Sequence, residues 1–241
     1  DSELHRRSEF CAACHEYRND RGVAVLETYS EWKAGPYAAE GKQCQNCHMP
    51  LTSGRVAAMG LRQVPKGINL HDVSGSHDLE TVRKAVTMKI LNAVRLPGSK
   101  IQVEILVSNV GSGHCFPTGL PLHRAILEVT LTDRKRKVGS RTLAFEKVLV
   151  DKDGVPITRE HEAFLVASSV RDDTRIKPKE KRSVVVTFDD AETPAGLVEA
   201  SLWYQYSTHS VTSREGTETI EPVEMKFLLA SQQRRLPSIG D

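Results

Sequence analysis

Two short stretches near the start of the chain decide how it is built: Cys11-Ala12-Ala13-Cys14-His15 and Cys44-Gln45-Asn46-Cys47-His48. Each contains two cysteines separated by two residues and followed directly by a histidine. In a helix the two thiols lie about one turn apart, a spacing that matches the two vinyl groups on one edge of a porphyrin. The histidine then presents its imidazole to the iron. We interpret the stretches as covalent attachment sites for two haem c groups, with His15 and His48 as the proximal iron ligands.

Other uses of paired cysteines explain these stretches less completely. A zinc site made by all four cysteines would leave both histidines without a role, and residues 15–43 separate the two pairs, a longer gap than is usual in zinc ribbons. A thioredoxin-like site would need a strand before the first pair, and none is predicted there. Structural disulfides would need no histidine. The four-cysteine zinc site is kept as the alternative.

The composition is that of a globular protein of 241 residues, enough for one large domain or two ordinary ones. A net charge of +2 argues against a nucleic-acid partner, and no apolar run reaches the length of a transmembrane segment. The fifth cysteine, Cys115, has no partner for a structural disulfide. Because haem c is attached outside the bacterial cytoplasmic membrane, we expect a periplasmic, extracellular or cell-surface protein whose signal peptide has been removed.

The segment before residue 98 is predicted to be mostly helical or irregular. Helical spacing is present from Ser2 to Asn19 and again from Thr28 to Ala39, where Gly35-Pro36 interrupts it. A short helix carries the second motif. Residues 51–77 have no regular period and are predicted to form a loop around a haem.

One more helix and then a series of strands are predicted for the rest of the chain. The helix is capped by Asp78 or Ser76, begins near Leu79 and ends before Pro97, because apolar residues recur there at helical spacing. Alternating apolar residues then predict strands over 101–110, Ala125–Thr132, Leu143–Val150, Ser183–Phe188, Leu197–Ser207 and Val223–Leu229. The predicted fold is α+β, with a dihaem domain over residues 1–97 and an antiparallel, immunoglobulin-like β-sandwich over residues 98–241.

A second axial ligand for each iron must come from outside the motifs. The candidates outside the motifs are His5, His71, His77, His114, His123, Met59 and Met88. His71 and His77 lie in the irregular segment, and His114 lies in the glycine-rich stretch Gly111–Gly119. We expect His71 and His114 to be the distal ligands, with His77 next. His5 is placed to serve the other haem or a neighbouring chain, and His161 and His209 are expected to be structural or exposed.

Several stretches resemble multihaem c-type cytochromes that carry a C-terminal β-domain. Besides the two motifs they are Thr28-Tyr29-Ser30-Glu31-Trp32, His71-Asp72-Val73-Ser74-Gly75, the Gly113-His114-Cys115-Phe116-Pro117-Thr118-Gly119 stretch with Arg124, Arg171 to Pro178, and Leu202-Trp203-Tyr204. The resemblance implies low-spin haem with bis-histidine ligation, used for electron transfer, and it places His71 and His114 at the positions of the distal ligands. The chain has sites for only two haems, fewer than many members of that family.

The leading hypothesis is an exported dihaem cytochrome that transfers electrons between redox partners. The partners would be other redox proteins, haem proteins among them, or further copies of the chain in a larger complex or a haem-stacked polymer. The alternative is a haem enzyme of the peroxidase or nitrogen-oxide reductase type with one open iron. A structural or sensory module is a third reading, which the sandwich alone cannot support.

Overall fold

A computed structural model describes residues 3–55, 63–70, 75–189, 193–214 and 217–237 of the chain. Its helices are a 3-10 helix over Glu3–Arg6 and α1 (Glu9–His15), α2 (Thr28–Lys33), α3 (Pro36–Ala39), α4 (Cys44–His48), α5 (Leu79–Ala85) and α6 (Glu160–Val166). Its first strands are β1 (Tyr17–Arg18), β2 (Ala24–Leu26), β3 (Leu51–Arg55), β4 (Gln63–Asn69), β5 (Val86–Leu96) and β6 (Lys100–Asn109). The others are β7 (Arg124–Asp133), β8 (Arg136–Phe145), β9 (Lys147–Val150), β10 (Ser169–Asp173), β11 (Lys181–Phe188), β12 (Gly196–Arg214) and β13 (Thr217–Arg235). Strands make up 49% of the structure and helices 20%, so antiparallel sheets dominate an α+β fold.

Two antiparallel sheets enclose the main hydrophobic core. One has the strand order β11-β6-β5 and the other β13-β12-β7-β8. The alternating residues of β6 that were expected to face inward, Ile101, Val103, Ile105 and Val107, are fully buried. They pack with Leu127 and its neighbours on β7 and with Leu202 on β12 in a single cluster. The predicted antiparallel β region is therefore present, and its two sheets face each other across one core.

The order of the strands in these two sheets is that of an immunoglobulin-like arrangement. Numbering the seven strands from β5, the first, second and fifth form one sheet, and the third, sixth and seventh lie in the other. The fourth strand, β8, pairs with β7 over the register Ala125 with Phe145 to Asp133 with Arg136.

A second, smaller core attaches the N-terminal part to the sandwich. Val25 on β2 is fully buried and packs with Leu149 on β9 and with Ala163 and Ala167 at α6. The side chain of Asn19 adds a hydrogen bond from Nδ2 to the carbonyl oxygen of Ala167, 2.7 Å away. Apolar burial and a buried hydrogen bond thus join residues near the first cysteine motif to the β region.

The predicted long helix from Leu79 to Pro97 is wrong beyond Ala85. Asp78 does cap a helix, its carboxylate accepting from the backbone N–H groups of Glu80 and Thr81, but α5 ends after two turns and Val86–Leu96 forms β5. A shift of register between Ile90 and Asn92 explains the misleading period. This bulge changes which face is buried within the strand, so the apolar residues follow neither a strict period of two nor a helix.

Three other predicted segments differ from the structure. The stretch from Ser2 to Asn19 is two short helices and a strand, because Glu16 adopts an extended backbone directly after α1. Residues 51–77 contain the paired strands β3 and β4 in their described part, where a loop was expected. Leu143–Val150 is interrupted at Glu146, which separates β8 from β9. Its backbone N–H donates to the hydroxyl of Thr174, and its carbonyl oxygen accepts from the N–H of Thr174.

Gly111→Ala is expected to destabilise the fold by about 3 kcal/mol, because overpacking against a rigid neighbour forces the backbone to move. A Cβ atom at Gly111 would lie 2.2 Å from the carbonyl oxygen of Lys84, which is backbone and cannot rotate away. Denaturant unfolding measures the change. Gly75→Ala is the control, because a Cβ atom there meets nothing within 4 Å. Equal stabilities of the two variants would contradict the close approach.

Buried His123 is expected to make the stability fall in acid. It is 5% exposed, and burial lowers its pKa to about 4. The unfolded chain binds a proton below its ordinary pKa of about 6.5, whereas the folded chain does not until the pH approaches the lower value. Stability is therefore lost as the pH falls through this window, by up to about 3 kcal/mol from this group.

The measurement is the free energy of unfolding at several pH values between about 7.5 and 4.5, in the native chain and in a His123→Gln variant. Subtracting one profile from the other removes the contribution of the other titrating groups. A difference that stays constant with pH would show that His123 is protonated equally in the folded and unfolded chains.

Candidate functional site

The two cysteine motifs lie on two short helices. α1 places the cysteines of the first motif one turn apart, and α4 does the same for the second. In each motif the first cysteine is half-buried and the second is exposed. His15 is exposed, whereas His48 is half-buried. The motifs share one local geometry, but the protein covers the second histidine more fully.

The beginnings of these two helices are joined by hydrogen bonds. The backbone N–H and the hydroxyl of Ser8, which precedes α1, both donate to Oε1 of Gln43 at 2.8 Å. The Ser8 hydroxyl also accepts from the backbone N–H of Cys44 at 2.9 Å, and the N–H of Gln43 donates to Oδ1 of Asn46. The backbone donors at these helix ends are thereby satisfied, and the two motifs are held in a fixed relation.

The first cysteines of the two motifs also lie close together. The thiol of Cys11 lies near the thiol of Cys44. Burial raises the pKa of Cys11 to about 11, and the proximity of Cys44 and then Cys14 adds to the shift. The first cysteine of one motif therefore lies near the first cysteine of the other.

The rings of His48 and His114 lie close to each other with nearly parallel planes. Their centroids are 6.3 Å apart and their planes are inclined by 15°. A metal–nitrogen bond of about 2 Å and about 1.1 Å from that nitrogen to the ring centre would place two imidazoles on opposite sides of one ion with centres about 6 Å apart. In the described part of the chain this is the one stacked pair of histidine rings. The spacing and near-parallel planes fit two axial ligands of a single iron.

Hydrogen bonds orient the His114 ring for such a role. Its Nδ1 lies 2.9 Å from the hydroxyl oxygen of Ser112 and 3.0 Å from the carbonyl oxygen of Cys115. Because the Ser112 hydroxyl donates to the His114 carbonyl oxygen, it is an acceptor toward the ring, and Nδ1 carries the proton. Nε2 then has a free lone pair. A histidine that binds a metal through one ring nitrogen usually donates the N–H of the other nitrogen to a carbonyl oxygen, a carboxylate or water.

Burial favours the neutral form of both rings. Burial lowers the pKa of His48, and the nearby His114 and His15 lower it further. Burial also lowers the pKa of His114, with its bond to the Cys115 carbonyl opposing the shift and the positive charge of Arg175 among the groups reinforcing it. A neutral imidazole can donate its lone pair to iron without first losing a proton.

The loop that carries His114 is shaped by the end of β6. Asn109 donates from Nδ2 to the carbonyl oxygens of His114 and Ile176, at 2.9 and 3.1 Å, and accepts from the N–H of Ser112. A Cβ atom at Gly113 would lie 3.5 Å from the Tyr37 ring, so the loop packs closely on the N-terminal part. The glycine-rich stretch is therefore an ordered turn.

The other predicted distal ligands do not face a motif histidine in the described residues. His71 and Met59 lie outside the described residues. The exposed His77 packs edge-on against Tyr206 with ring centroids 4.8 Å apart, and the exposed His5 lies 4.7 Å from Phe10.

The remaining histidine and methionine candidates have placements of their own. Met88 is buried in the sandwich core, and His123 is buried beside Tyr204. His161 is exposed on α6, and the side chain of His209 lies outside the described part of the chain. Sequence reasoning gave no role to Ser8, Gln43 or Ser112, since polar residues of these types carry no distinctive pattern.

Comparison with solved structures finds a shared fold. Over 96% of this chain the structure is similar to a crystal structure of a penta-heme cytochrome c552 from Thermochromatium tepidum, with a TM-score of 0.67 and 23% sequence identity. The chain spans 56% of the length of that cytochrome chain. No protein-family model matches the sequence, and no curated protein matches it. The fold is therefore one also found in a multihaem c-type cytochrome.

No group of three or more His, Cys, Asp or Glu side chains able to hold a metal ion is present in residues 3–55, 63–70, 75–189, 193–214 and 217–237. Within the same ranges, none of the helices has both the length and the apolar character needed to cross a bilayer.

Proposed function

We propose that the chain is an exported dihaem c-type cytochrome that transfers electrons through two low-spin, bis-histidine haems. The observation that carries the proposal is the pair of nearly parallel imidazoles of His48 and His114. His48 belongs to a Cys-x-x-Cys-His motif, and the two rings have the spacing of two ligands on one metal. The fold shared with a penta-heme cytochrome supports it.

The residues around the second motif divide the work of holding the cofactor. Haem c, when bound, supplies an iron that cycles between the ferric and ferrous states. Cys44 and Cys47 would hold the group by thioether bonds, while His48 and His114 would occupy both axial positions and leave none for a substrate. The carbonyl oxygen of Cys115 accepts the Nδ1 proton of His114 and so raises the donor strength of Nε2.

The first site is assigned the residues Cys11, Cys14 and His15. For its distal ligand we propose His71, as the family resemblance implies, with His77, or His5 of a neighbouring chain, as the less favoured candidate. The proximity of Cys11 and Cys44 supports transfer of electrons between the two sites, because thioether bonds at these cysteines would bring the two porphyrin edges together.

One observation favours the alternative of a haem enzyme with an open iron. His15 is exposed, and in the part of the chain that the structure describes no imidazole stacks opposite it. An iron with one free axial position binds small molecules, as in peroxidases or reductases of nitrogen oxides. The alternative therefore concerns the first site, whereas at the second site the proximity of the His48 and His114 rings supports two ligands.

The setting of this activity is proposed on the same basis. Attachment of haem c implies the periplasm or the cell exterior, and the partners would be other redox proteins, haem proteins among them, or further copies of the chain.

The predicted boundary between residues 97 and 98 falls between the paired strands β5 and β6. We therefore propose to divide the chain between Ala85 and Val86.

Optical spectra of the purified protein, oxidised and reduced, with and without carbon monoxide, test the proposal together with the haem-to-protein ratio. Two low-spin haems per chain that do not react with carbon monoxide are expected. A high-spin haem that binds carbon monoxide would contradict the proposal of an electron carrier and support the alternative of a haem enzyme. A chain without covalent haem would refute both and return the four cysteines to zinc.

A further inference from the structure

A buried carboxylate connects the N-terminal part to the loop that carries His114. Glu31 lies on α2, and its side chain is 7% exposed. Its Oε2 accepts from the backbone N–H of Cys115 at 3.0 Å and from the hydroxyl of Thr118 at 2.8 Å. Its Oε1 accepts from the guanidinium of Arg175 at 2.5 Å. All three partners are donors, so both oxygens of one carboxylate are used.

Arg175 fixes this carboxylate from the side of the β region. The guanidinium also donates to Asp173 and to Glu27, each at 2.7 Å, and Glu27 in turn accepts from Lys147 at 2.7 Å. The cluster contains three carboxylates and two cations, and the two cations are almost fully buried. Such buried pairs hold a fixed geometry because each charge is costly to leave without its partner.

The pKa shifts of Glu31 and Glu27 reflect their burial and the cations that face them. Burial raises the pKa of Glu31, and the positive charge of Arg175 and the Thr118 hydroxyl oppose this shift. Burial acts in the same direction on Glu27, but there the hydrogen bond and charge of Lys147, with Arg175, outweigh it, so the pKa is lowered. The network thus supplies the donors that keep a buried carboxylate in place beside the loop.

The peptide groups that Glu31 holds adjoin the one that orients His114. Glu31 accepts from the N–H of Cys115, while the carbonyl oxygen of the same residue accepts the Nδ1 proton of His114. Thr118 anchors the far side of the turn. Movement of this loop away from α2 would rotate the acceptor of the imidazole proton and change the distance between the His114 and His48 rings.

We propose that Glu31 is a positioning residue for His114: through the backbone of Cys115 and the hydroxyl of Thr118 it fixes the distal imidazole opposite His48. The inference rests on the proposed function, since it assigns His114 as an iron ligand. Arg175 orients the carboxylate and so ties the ligand loop to the β region.

Glu31→Gln in the haem-loaded protein tests this role, with Glu27→Gln as the matched control. Glutamine keeps the size of Glu31, but its amide nitrogen replaces one carboxylate oxygen and cannot accept a hydrogen bond. Depending on the orientation of the amide, either Cys115 and Thr118 or Arg175 lose their acceptor. Glu27→Gln also removes a carboxylate from Arg175, but Glu27 has no hydrogen bond to residues 112–118. The readouts are the fraction of haem that binds carbon monoxide, the electron paramagnetic resonance g values and the midpoint potential of each haem.

In Glu31→Gln we expect two covalent haems per chain, with altered g values and potential at one of them only. The ratio of ligated to open iron at that haem should fall about tenfold, because a hydrogen bond to a charged group contributes more than one between neutral groups. Glu27→Gln leaves both oxygens of Glu31 in place beside the loop and should shift the same haem by less than Glu31→Gln does. Spectra and potentials that are the same in both variants and in the native protein would overturn the inference.

Threonine 118 provides a second test that does not disturb the ion pair. Thr118→Val removes one donor to Glu31 and should shift the same haem in the same direction by a smaller amount, while Thr118→Ser restores the native spectrum. No shift in Thr118→Val, with Glu31→Gln failing to fold, would reject a role in positioning. A native protein that lacks haem or binds carbon monoxide at both irons would instead refute the proposed function.

Discussion

Under the proposed function, replacing His114 by alanine is expected to make one of the two haems react with carbon monoxide. The imidazole of His114 lies close to that of His48, with ring centroids 6.3 Å apart, and the described part of the chain offers no third imidazole stacked on this pair. Without it, one iron loses a strong-field ligand and about half of the total haem should become high-spin and open. Optical titration of the reduced protein with carbon monoxide measures this fraction.

His161→Ala is the control for this experiment. His161 is exposed on α6, and its removal takes away one histidine without touching the ligand loop. The spectrum of this variant should stay low-spin. A His114→Ala protein that remains fully low-spin and unreactive would mean that another residue ligates the second iron, and the pairing of His48 with His114 would be wrong.

The double substitution Cys44→Ser and Cys47→Ser is expected to halve the covalent haem content. Serine hydroxyls do not form thioether bonds, so α4 would lose both of its tethers, while the first motif keeps Cys11 and Cys14. The mass of the intact protein should fall by one haem, and the alkaline pyridine spectrum should give about one haem per chain instead of two.

Cys115→Ser provides the matched control for the loss of a thiol. Cys115 lies beside His114 but belongs to no motif, and burial raises the pKa of its thiol to about 12, which makes it a poor nucleophile. This variant should keep both haems. A double variant that keeps two covalent haems would show that the second motif is not an attachment site.

Local patterns predicted the parts of the molecule that depend on local chemistry. The two cysteine motifs are runs of five residues, and their helices are specified within those runs. The alternation of Ile101, Val103 and Ile105 predicted a strand because each side chain meets the same core. The strand after Ala85 was missed because a bulge near Asn92 shifts its apolar face, which imitates a different period.

Contacts between distant parts of the chain were less accessible. That the His48 ring lies near the ring of His114 depends on how the β region docks on the first fifty residues. The sequence alone favoured His71 and His114 as distal ligands but did not pair either of them with a particular motif. Glu31 and Arg175 are even less conspicuous, since an acidic residue in a helix is ordinarily solvent-exposed. Only the folded arrangement brings their charges together beside the loop that carries His114.

The distance along the chain between the two imidazoles has a consequence for the order of assembly. Tethering at Cys44 and Cys47 needs only a few consecutive residues and can precede folding of the sheets. Capture of the iron by His114 must wait until strands far along the chain have paired, and such non-local pairing is slow. Under the proposed function, ligation by His114 would change the absorbance spectrum of the haem. That change would therefore report when the β region has folded.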